Sequence, residues 1–367
     1  MARLFLSALR AIGHDVFIAS SFRSWDRGYS FDHTRRLASL GQRLAGRLIR
    51  RFQRTHPPDL WFTYHVYHKA PDWLGPIICD TFRLPYIIAE ASFAPKQAHG
   101  PWHIGHQQVA LSIRRADAVL SMTTHDAVCL RPLLATEDRM VILSPFLDPQ
   151  DTLQTSPVFS ENRLDDRQWC ARMFHLPPEE PWLLAVGMMR PGDKSHSYQI
   201  LAQALSGLVN RRWFLLVVGD GCARSQIVEA FTLLPPTRVR WLGTLDPHTL
   251  RRIYGVVDFM VWPAINEAYG MALLEAQAAG KAVVAGHSAG VAEIIQDRIT
   301  GLLSPCGNKA ALASHVAQLL DDPELCVRLG QNGARKVATE HSFEKACQRI
   351  NHTLNEVMNR HLDTRSS

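Results

Sequence analysis

Three junctions in the second half of the chain carry residues whose types and spacing could do chemistry. The first reads Val186-Gly187-Met188-Met189-Arg190-Pro191-Gly192-Asp193-Lys194. An apolar run ends in glycine, and two cations follow in a Pro/Gly loop. Fixed cations there would stabilise the charge that develops on a departing diphosphate. Taken alone, Arg190 and Lys194 read as solvated loop charges. The second junction, Val217-Val218-Gly219-Asp220-Gly221, has glycines suited to a tight turn and to close approach of a ligand to the main chain. It is a weak signal by itself. The third junction runs from Trp262 through Pro263, Asn266, Glu267, Ala268, Tyr269, Gly270, Met271 and Ala272 to Glu275. A helix starting near Gly270 would offer free amides to a phosphate. Carboxylates accept hydrogen bonds from paired hydroxyls. Glu267 and Glu275 on either side of a phosphate seat therefore suit a sugar nucleotide, one holding its sugar and the other its ribose. Without its neighbours, Glu275 reads equally as an ordinary helix carboxylate.

The elements that must position these residues follow an α/β alternation. Strands are predicted in the first half at Asp15–Ala19, Asp59–Thr63, Tyr86–Ala89, Ala118–Ser121 and Met140–Ser144. A polar, proline-containing stretch follows, with one helix at Asp165–Phe174. Strands resume at Trp182–Gly187, Trp213–Gly219, Val239–Leu242, Phe259–Trp262, Ala282–Ala285 and Leu302–Ser304, separated by helices such as Tyr198–Val209, Pro247–Val256 and Gly270–Ala279. The pattern divides the chain into an acceptor-side Rossmann-like domain over 1–148, a linker over 149–180 and a nucleotide-sugar-binding Rossmann-like domain over 181–342. A final helix over 343–367 is expected to cross back to the first domain. Parallel sheets facing a cleft would place a ligand at their carboxyl ends.

The motifs of the second half, taken in order, resemble the retaining family 4 glycosyltransferases of the GT-B fold. The resemblance runs through Gly187 to Lys194, Gly219-Asp220-Gly221, Gly243-Thr244-Leu245, Leu250, Tyr254, Asp258, the stretch Glu267 to Ala276, Ala279-Gly280, Ala282-Val283-Val284, Gly290 and Gly301. It implies that Glu267 contacts the sugar hydroxyls, Glu275 the ribose and Lys194 the diphosphate. The family's arginine directly follows the glycine; Met188 stands there in this chain, and Arg190 is the substitute. The backbone of Ala268, Tyr269, Gly270, Met271 and Ala272 would receive sugar and phosphate groups.

The first half resembles the family through Gly13-His14-Asp15-Val16, Ala116-Asp117-Ala118-Val119 and Pro145-Phe146-Leu147-Asp148. Against the family pattern the chain opens inside the first helix, so the expectation is a start short by one strand and its glycine loop. Many members carry a histidine after the strand matching Tyr86–Ala89, where this chain has Glu90. With His65, His68 and Lys69, Glu90 forms the acceptor-side candidate set. The spacings of His65/His68 and of His99/His103/His106 are compatible with metal ligation. No acid or cysteine completes a set, so no metal is expected.

Composition narrows the partners. The 367 residues are 46% hydrophobic and 20% charged, a globular mix. Cys79, Cys129, Cys170, Cys222, Cys306, Cys326 and Cys347 are odd in number and lack a Cys-x-x-Cys pair, which points to a reducing compartment. No uncharged run reaches the ~18 residues of a membrane span. Arg10, His14 and Asp15 break the one stretch that resembles a signal peptide. The net charge of +6 lies in residues 1–150, with 18 Lys and Arg against 12 Asp and Glu. Thr34 to Arg54 holds seven arginines and no acid, with Leu37, Leu40, Leu44, Leu48 and Phe52 at helical spacing. Such a helix either keeps a solvated basic face or contacts an anionic membrane peripherally. Nucleic acid is not expected, because aromatics are not interleaved and no reader motif is present.

The expected function is transfer of a sugar from a nucleotide-diphosphate sugar, used as co-substrate with no bound cofactor, to a hydroxyl of a glycan, lipid or small molecule. The resemblance implies retention of anomeric configuration. The expected setting is cytoplasmic, with peripheral contact at the inner face of the membrane as a second placement. The alternatives are a catalytically weak sugar-nucleotide-binding subunit or scaffold, and a nucleotide-sugar epimerase.

Overall fold

The computed structural model describes residues 1–28, 30–147 and 163–366. Two compact units divide the chain: Met1–Pro145 together with Glu344–Ser367, and Phe146–Phe343. Residues 149–162 of the expected linker, and Asp148 of the segment leading to it, lie outside the described residues.

The first unit begins with α1 (Ala2–Ala11) and α2 (Phe31–Arg54), then alternates β1 (Trp61–Val66), α3 (Gly75–Phe82), β2 (Tyr86–Ala91), α4 (His103–Arg115), β3 (Ala118–Ser121), α5 (Thr124–Leu130) and β4 (Met140–Ile142). The strands form a parallel sheet in the order β1-β2-β3-β4. Burial on both faces explains their continuous apolar runs: Tyr86 to Ala89 and Ala118 to Leu120 are fully buried. Asp72 ties the opening of the sheet together. Its carboxylate accepts the amides of Leu74 and Gly75 at 2.8 Å each, the Thr63 hydroxyl at 2.6 Å and the Tyr86 hydroxyl at 2.8 Å.

One predicted strand is corrected. Asp15–Ala19 forms no strand, because no neighbouring strand supplies ladder partners. The Arg10 guanidinium instead donates to the Val16 carbonyl at 3.5 Å, Phe17 sets its ring edge against Phe52, and Ile18 stays 74% exposed. The other predicted strands are present with ends moved by up to three residues.

The second unit contains α6 (Arg163–Phe174), β5 (Trp182–Val186), α7 (Asp193–Ser206), β6 (Phe214–Val218), α8 (Arg224–Ala230), β7 (Val239–Gly243), α9 (Pro247–Val256) and β8 (Phe259–Trp262). It continues with α10 (Met271–Ala278), β9 (Ala282–His287), α11 (Ala289–Ile294), β10 (Leu302–Pro305), α12 (Lys309–Asp321) and α13 (Pro323–Glu340). The parallel order is β10-β9-β8-β5-β6-β7. Succession runs outward in one direction from β5 and in the other from β8, so the two central strands flank the switch point. In open α/β sheets the crevice outside the carboxyl ends at that point is where ligands bind. The last helix, α14 (Phe343–Ser366), belongs to the first unit from Glu344 on. There Arg360 pairs with Asp138, and the Cys347 thiol lies 3.9 Å from the Ala8 carbonyl.

Candidate functional site

The loops leaving β5 and β8 meet at the switch point, and they bring together two residues 73 positions apart. Lys194, in the first turn of α7, places Nζ 2.5 Å from Glu267 Oε2. Both side chains are 15% exposed. Trp262, the last residue of β8, lies beneath the pair and is almost fully buried. Its indole N–H donates to the same Glu267 oxygen at 3.0 Å, and the Lys194 ammonium sits 5.2 Å from the ring centroid. The ring is fixed in turn. Tyr198 crosses it edge-on at 4.9 Å and donates its hydroxyl to the Gly187 carbonyl at 2.7 Å. Burial pushes the Tyr198 hydroxyl well above its ordinary pKa, so it remains a donor.

The loop after β8 is held in an uncommon conformation. Ala264 and Asn266 adopt φ of 54° and 46°, a left-handed region that costs residues with a Cβ. The Ile265 amide donates to Ser197 Oγ at 3.1 Å and the Asn266 amide group to Asp193 at 3.1 Å, so α7 anchors the loop at two points. Gly270, with φ of 75°, then turns the chain into α10. The amides of Leu273 and Leu274 bond the Gly270 carbonyl. Those of Met271 and Ala272 precede the first helical bond and point out of the helix start, where the macrodipole favours an anion. Farther along α10, Glu275 accepts the Tyr254 hydroxyl at 2.9 Å. That bond orients Glu275 toward α9 rather than toward the Lys194–Glu267 pair.

Gly219 and Gly221 have a neighbour other than a ligand. A Cβ at Gly219 would stand 2.0 Å from the Gly187 carbonyl oxygen, and one at Gly221 would stand 2.2 Å from the Met189 carbonyl oxygen. The loops after β5 and β6 are zipped together, with the Met189 amide donating to Asp220 O at 2.9 Å. These glycines therefore shape the floor of the crevice by close loop packing. Gly243 continues the same seam by accepting the Gly219 amide at 2.8 Å, and Thr244 beyond it is exposed. Arg190 is exposed and forms no ion pair among the described residues. The structure does not bring it to Lys194.

The four acceptor-side candidates lie at the carboxyl end of the first sheet and divide into two groups. His65 Nδ1 is 3.1 Å from Glu90 Oε1, and both residues have left-handed backbones, φ 64° and 58°. The Tyr64 hydroxyl is raised far above the ordinary phenol range, by burial first and by the nearby Glu90 carboxylate. His68 and Lys69 turn toward Trp102 instead. The Lys69 ammonium is 4.6 Å from the indole centroid, and the His68 ring meets it edge-on at 5.3 Å. Burial, with the charges of Lys69, His106 and Lys96, lowers His68 to a pKa of about 4, so the ring is neutral near pH 7. Among the described residues no three His, Cys, Asp or Glu side chains gather as a metal site.

The sequence reading missed Trp262 and Tyr198 as the support of the pair, and Asp193 with Asn266 as the loop anchor. A tryptophan closing a strand was the only available signal, and it reads first as core.

Known proteins resemble this chain in sequence and in fold. The family described as "Glycosyl transferases group 1" matches residues 172–336. The D-inositol 3-phosphate glycosyltransferase of Nocardia farcinica is 26% identical over 310 residues, covering 79% of this chain and 64% of that protein. The chain spans about half, 48%, of the enzyme of the same name from Corynebacterium efficiens, at 29% identity and 57% of its own length. Among solved structures, Anabaena HepE in complex with UDP and glucose superposes with a TM-score of 0.69 at 18% identity, over 86% of this chain and 83% of that one. These likenesses give the fold: an α/β chain of GT-B type with two Rossmann-like, parallel-sheet domains.

Proposed function

We propose that the chain transfers a sugar from a nucleotide-diphosphate sugar to an acceptor hydroxyl, with the Lys194–Glu267 pair at the switch point as the donor site. The observation that carries this reading is a cation and a carboxylate converging on one buried indole beside the amides that open α10. A diphosphate needs the cation and the amides; a hexose needs the carboxylate. The group 1 match across this unit and the sugar-transferring relatives support the same assignment.

In this mechanism Glu267 accepts hydrogen bonds from hydroxyls of the donor sugar, and Glu275 accepts those of the ribose once Tyr254 shares it. Lys194, with the amides of Met271 and Ala272, stabilises the diphosphate as its bond to the anomeric carbon breaks. The acceptor oxygen forms its new bond on the face the diphosphate leaves, and its proton passes to a phosphate oxygen. Configuration is thereby retained, as the resemblance to family 4 implies. His65, Glu90, His68 and Lys69 are the groups offered to the acceptor, a glycan, a lipid-linked glycan or a small molecule. Arg190 reaches a bound diphosphate only by swinging in from solvent.

The test is a thermal-shift screen of nucleotide-diphosphate sugars, since a ligand bound to the folded state raises its apparent stability. The donor that scores is then carried into a transfer reaction and the anomeric configuration of the product is read by NMR. A shift with one donor and a retained product are expected; an inverted product would overturn the mechanism. One observation favours a binding subunit as second reading: exposed Arg190 leaves Lys194 as the one side-chain cation in contact with Glu267 among the described residues. A thermal shift without release of nucleoside diphosphate, over a range of acceptors, would select it.

A further inference from the structure

We propose that the exposed face of α2 is a docking surface for an anionic phospholipid bilayer. The inference stands on α2 alone and does not depend on the transfer reading.

The helix has one packed side and one bare side. Thr34, Gly41, Ala45, Leu48 and Phe52 are buried, and at 100° per residue they form a single band. This band packs on α3 and α4, and Gly41 sits so close to Trp73 that a Cβ would meet that side chain at 2.3 Å. Opposite the band, Arg36, Arg43, Arg47, Arg50 and Arg54 recur at spacings of seven, four, three and four. They make a straight stripe roughly 27 Å long at 1.5 Å per residue. Arg35 and Arg51 flank it. All seven arginines are exposed. None forms an ion pair among the described residues, although arginines elsewhere in the same unit do, such as Arg115 with Asp80 and Arg131 with Glu137. From Thr34 to the end of the helix there is no acid to meet them.

A solvated protein surface ordinarily mixes the two signs. A row of unpaired guanidinium groups is instead a field that anionic headgroups complement. Leu40 decides between a bilayer and another polyanion. It is 36% exposed and lies within the stripe, one turn from Arg36, Arg43 and (two turns) Arg47. A bilayer admits this apolar side chain beneath its headgroups while the arginines meet the phosphates. A nucleic-acid backbone would leave it against charge.

The experiment is co-sedimentation of the full chain with phosphatidylcholine vesicles, with and without about 30 mol% phosphatidylglycerol, at low and high salt. The expected result is binding that requires phosphatidylglycerol and weakens with salt. The triple variant Arg43→Glu, Arg47→Glu, Arg50→Glu should lose at least about tenfold in vesicle affinity with an unchanged melting temperature, because all three side chains are exposed. Leu40→Ser should weaken vesicle binding severalfold and leave binding to duplex DNA unaltered. Absence of binding to the phosphatidylglycerol vesicles would overturn the proposal, as would full binding by the triple variant. Duplex DNA bound as tightly as the vesicles, with Leu40→Ser neutral toward both, would assign the stripe to polyphosphates in general and overturn it equally.

Discussion

Replacing Trp262 with phenylalanine removes the indole N–H that donates to Glu267. The indole N–H holds Glu267 Oε2 at 3.0 Å from below while Lys194 holds the same oxygen from the side. A hydrogen bond to a charged group contributes about 1.5–3 kcal/mol. If that bond fixes the carboxylate where sugar hydroxyls need it, its loss appears as a fall of roughly 10- to 100-fold in kcat/KM for the donor, at about 1.4 kcal/mol per tenfold. Trp262 is also buried, so the smaller ring leaves a void and should cost about 1–3 kcal/mol of stability by itself. Tyr198→Phe separates the two effects. It removes the bond to the Gly187 carbonyl behind the same ring and costs stability of about 1 kcal/mol, yet leaves the indole and Glu267 in contact. Steady-state release of nucleoside diphosphate and denaturant unfolding would be measured on both variants. Both variants should be destabilised, and only Trp262→Phe should lose catalytic efficiency by tenfold or more. Equal losses of activity in the two would refute the positioning role. So would a Trp262→Phe enzyme within twofold of wild type.

Two further predictions concern the first unit. Asp72→Ala strands two amides and two hydroxyls, at 2.6–2.8 Å in the native unit, and should cost about 3–5 kcal/mol; urea unfolding measures it, and a cost below about 1 kcal/mol would contradict the hub. His68 is lowered from its ordinary 6.5 to about 4, so between those values the unfolded chain holds a proton that the folded chain lacks. Its contribution to stability is therefore complete above about pH 6.5 and is lost progressively toward pH 4. The melting temperature should fall less steeply on acidification in His68→Asn than in wild type; an unchanged slope would show that His68 is not the group responsible.

Much of the second unit was legible because its chemistry lies in local runs. Strand, glycine and cation occur together around Gly187, and strand, glycine and carboxylate around Glu267; that both runs leave strands at one switch point came from the strand order of the folded sheet. What was not legible depends on direction. That Trp262 turns its N–H toward Glu267, and that Gly219 and Gly221 accommodate the backbone of Gly187 and Met189, are facts of three dimensions that residue type does not carry. Arg190 and Lys194 are both cations of one Pro/Gly run, Arg190 as a displaced substitute, and only Lys194 falls in the first turn of α7, where its side chain reaches Glu267. In the first unit Asp15–Ala19 has the composition of a strand, but a strand exists only through a partner. Asp72 was invisible for a related reason: its four donors come from residues spread between Thr63 and Tyr86. The arginines of α2 were plain in the sequence. That all seven stay without an ion pair among the described residues, on the side away from the packed band, required the structure.

The most direct test of the central claim compares wild type with Glu267→Ala, using the donor found by the screen. In the proposed mechanism Glu267 holds the sugar, whereas the amides of Met271 and Ala272, with Lys194, hold the diphosphate. The variant should therefore keep its thermal shift with the nucleoside diphosphate alone and lose transfer by about 100-fold or more. Transfer at the wild-type rate by Glu267→Ala would contradict the claim and move the sugar site away from the Lys194–Glu267 pair.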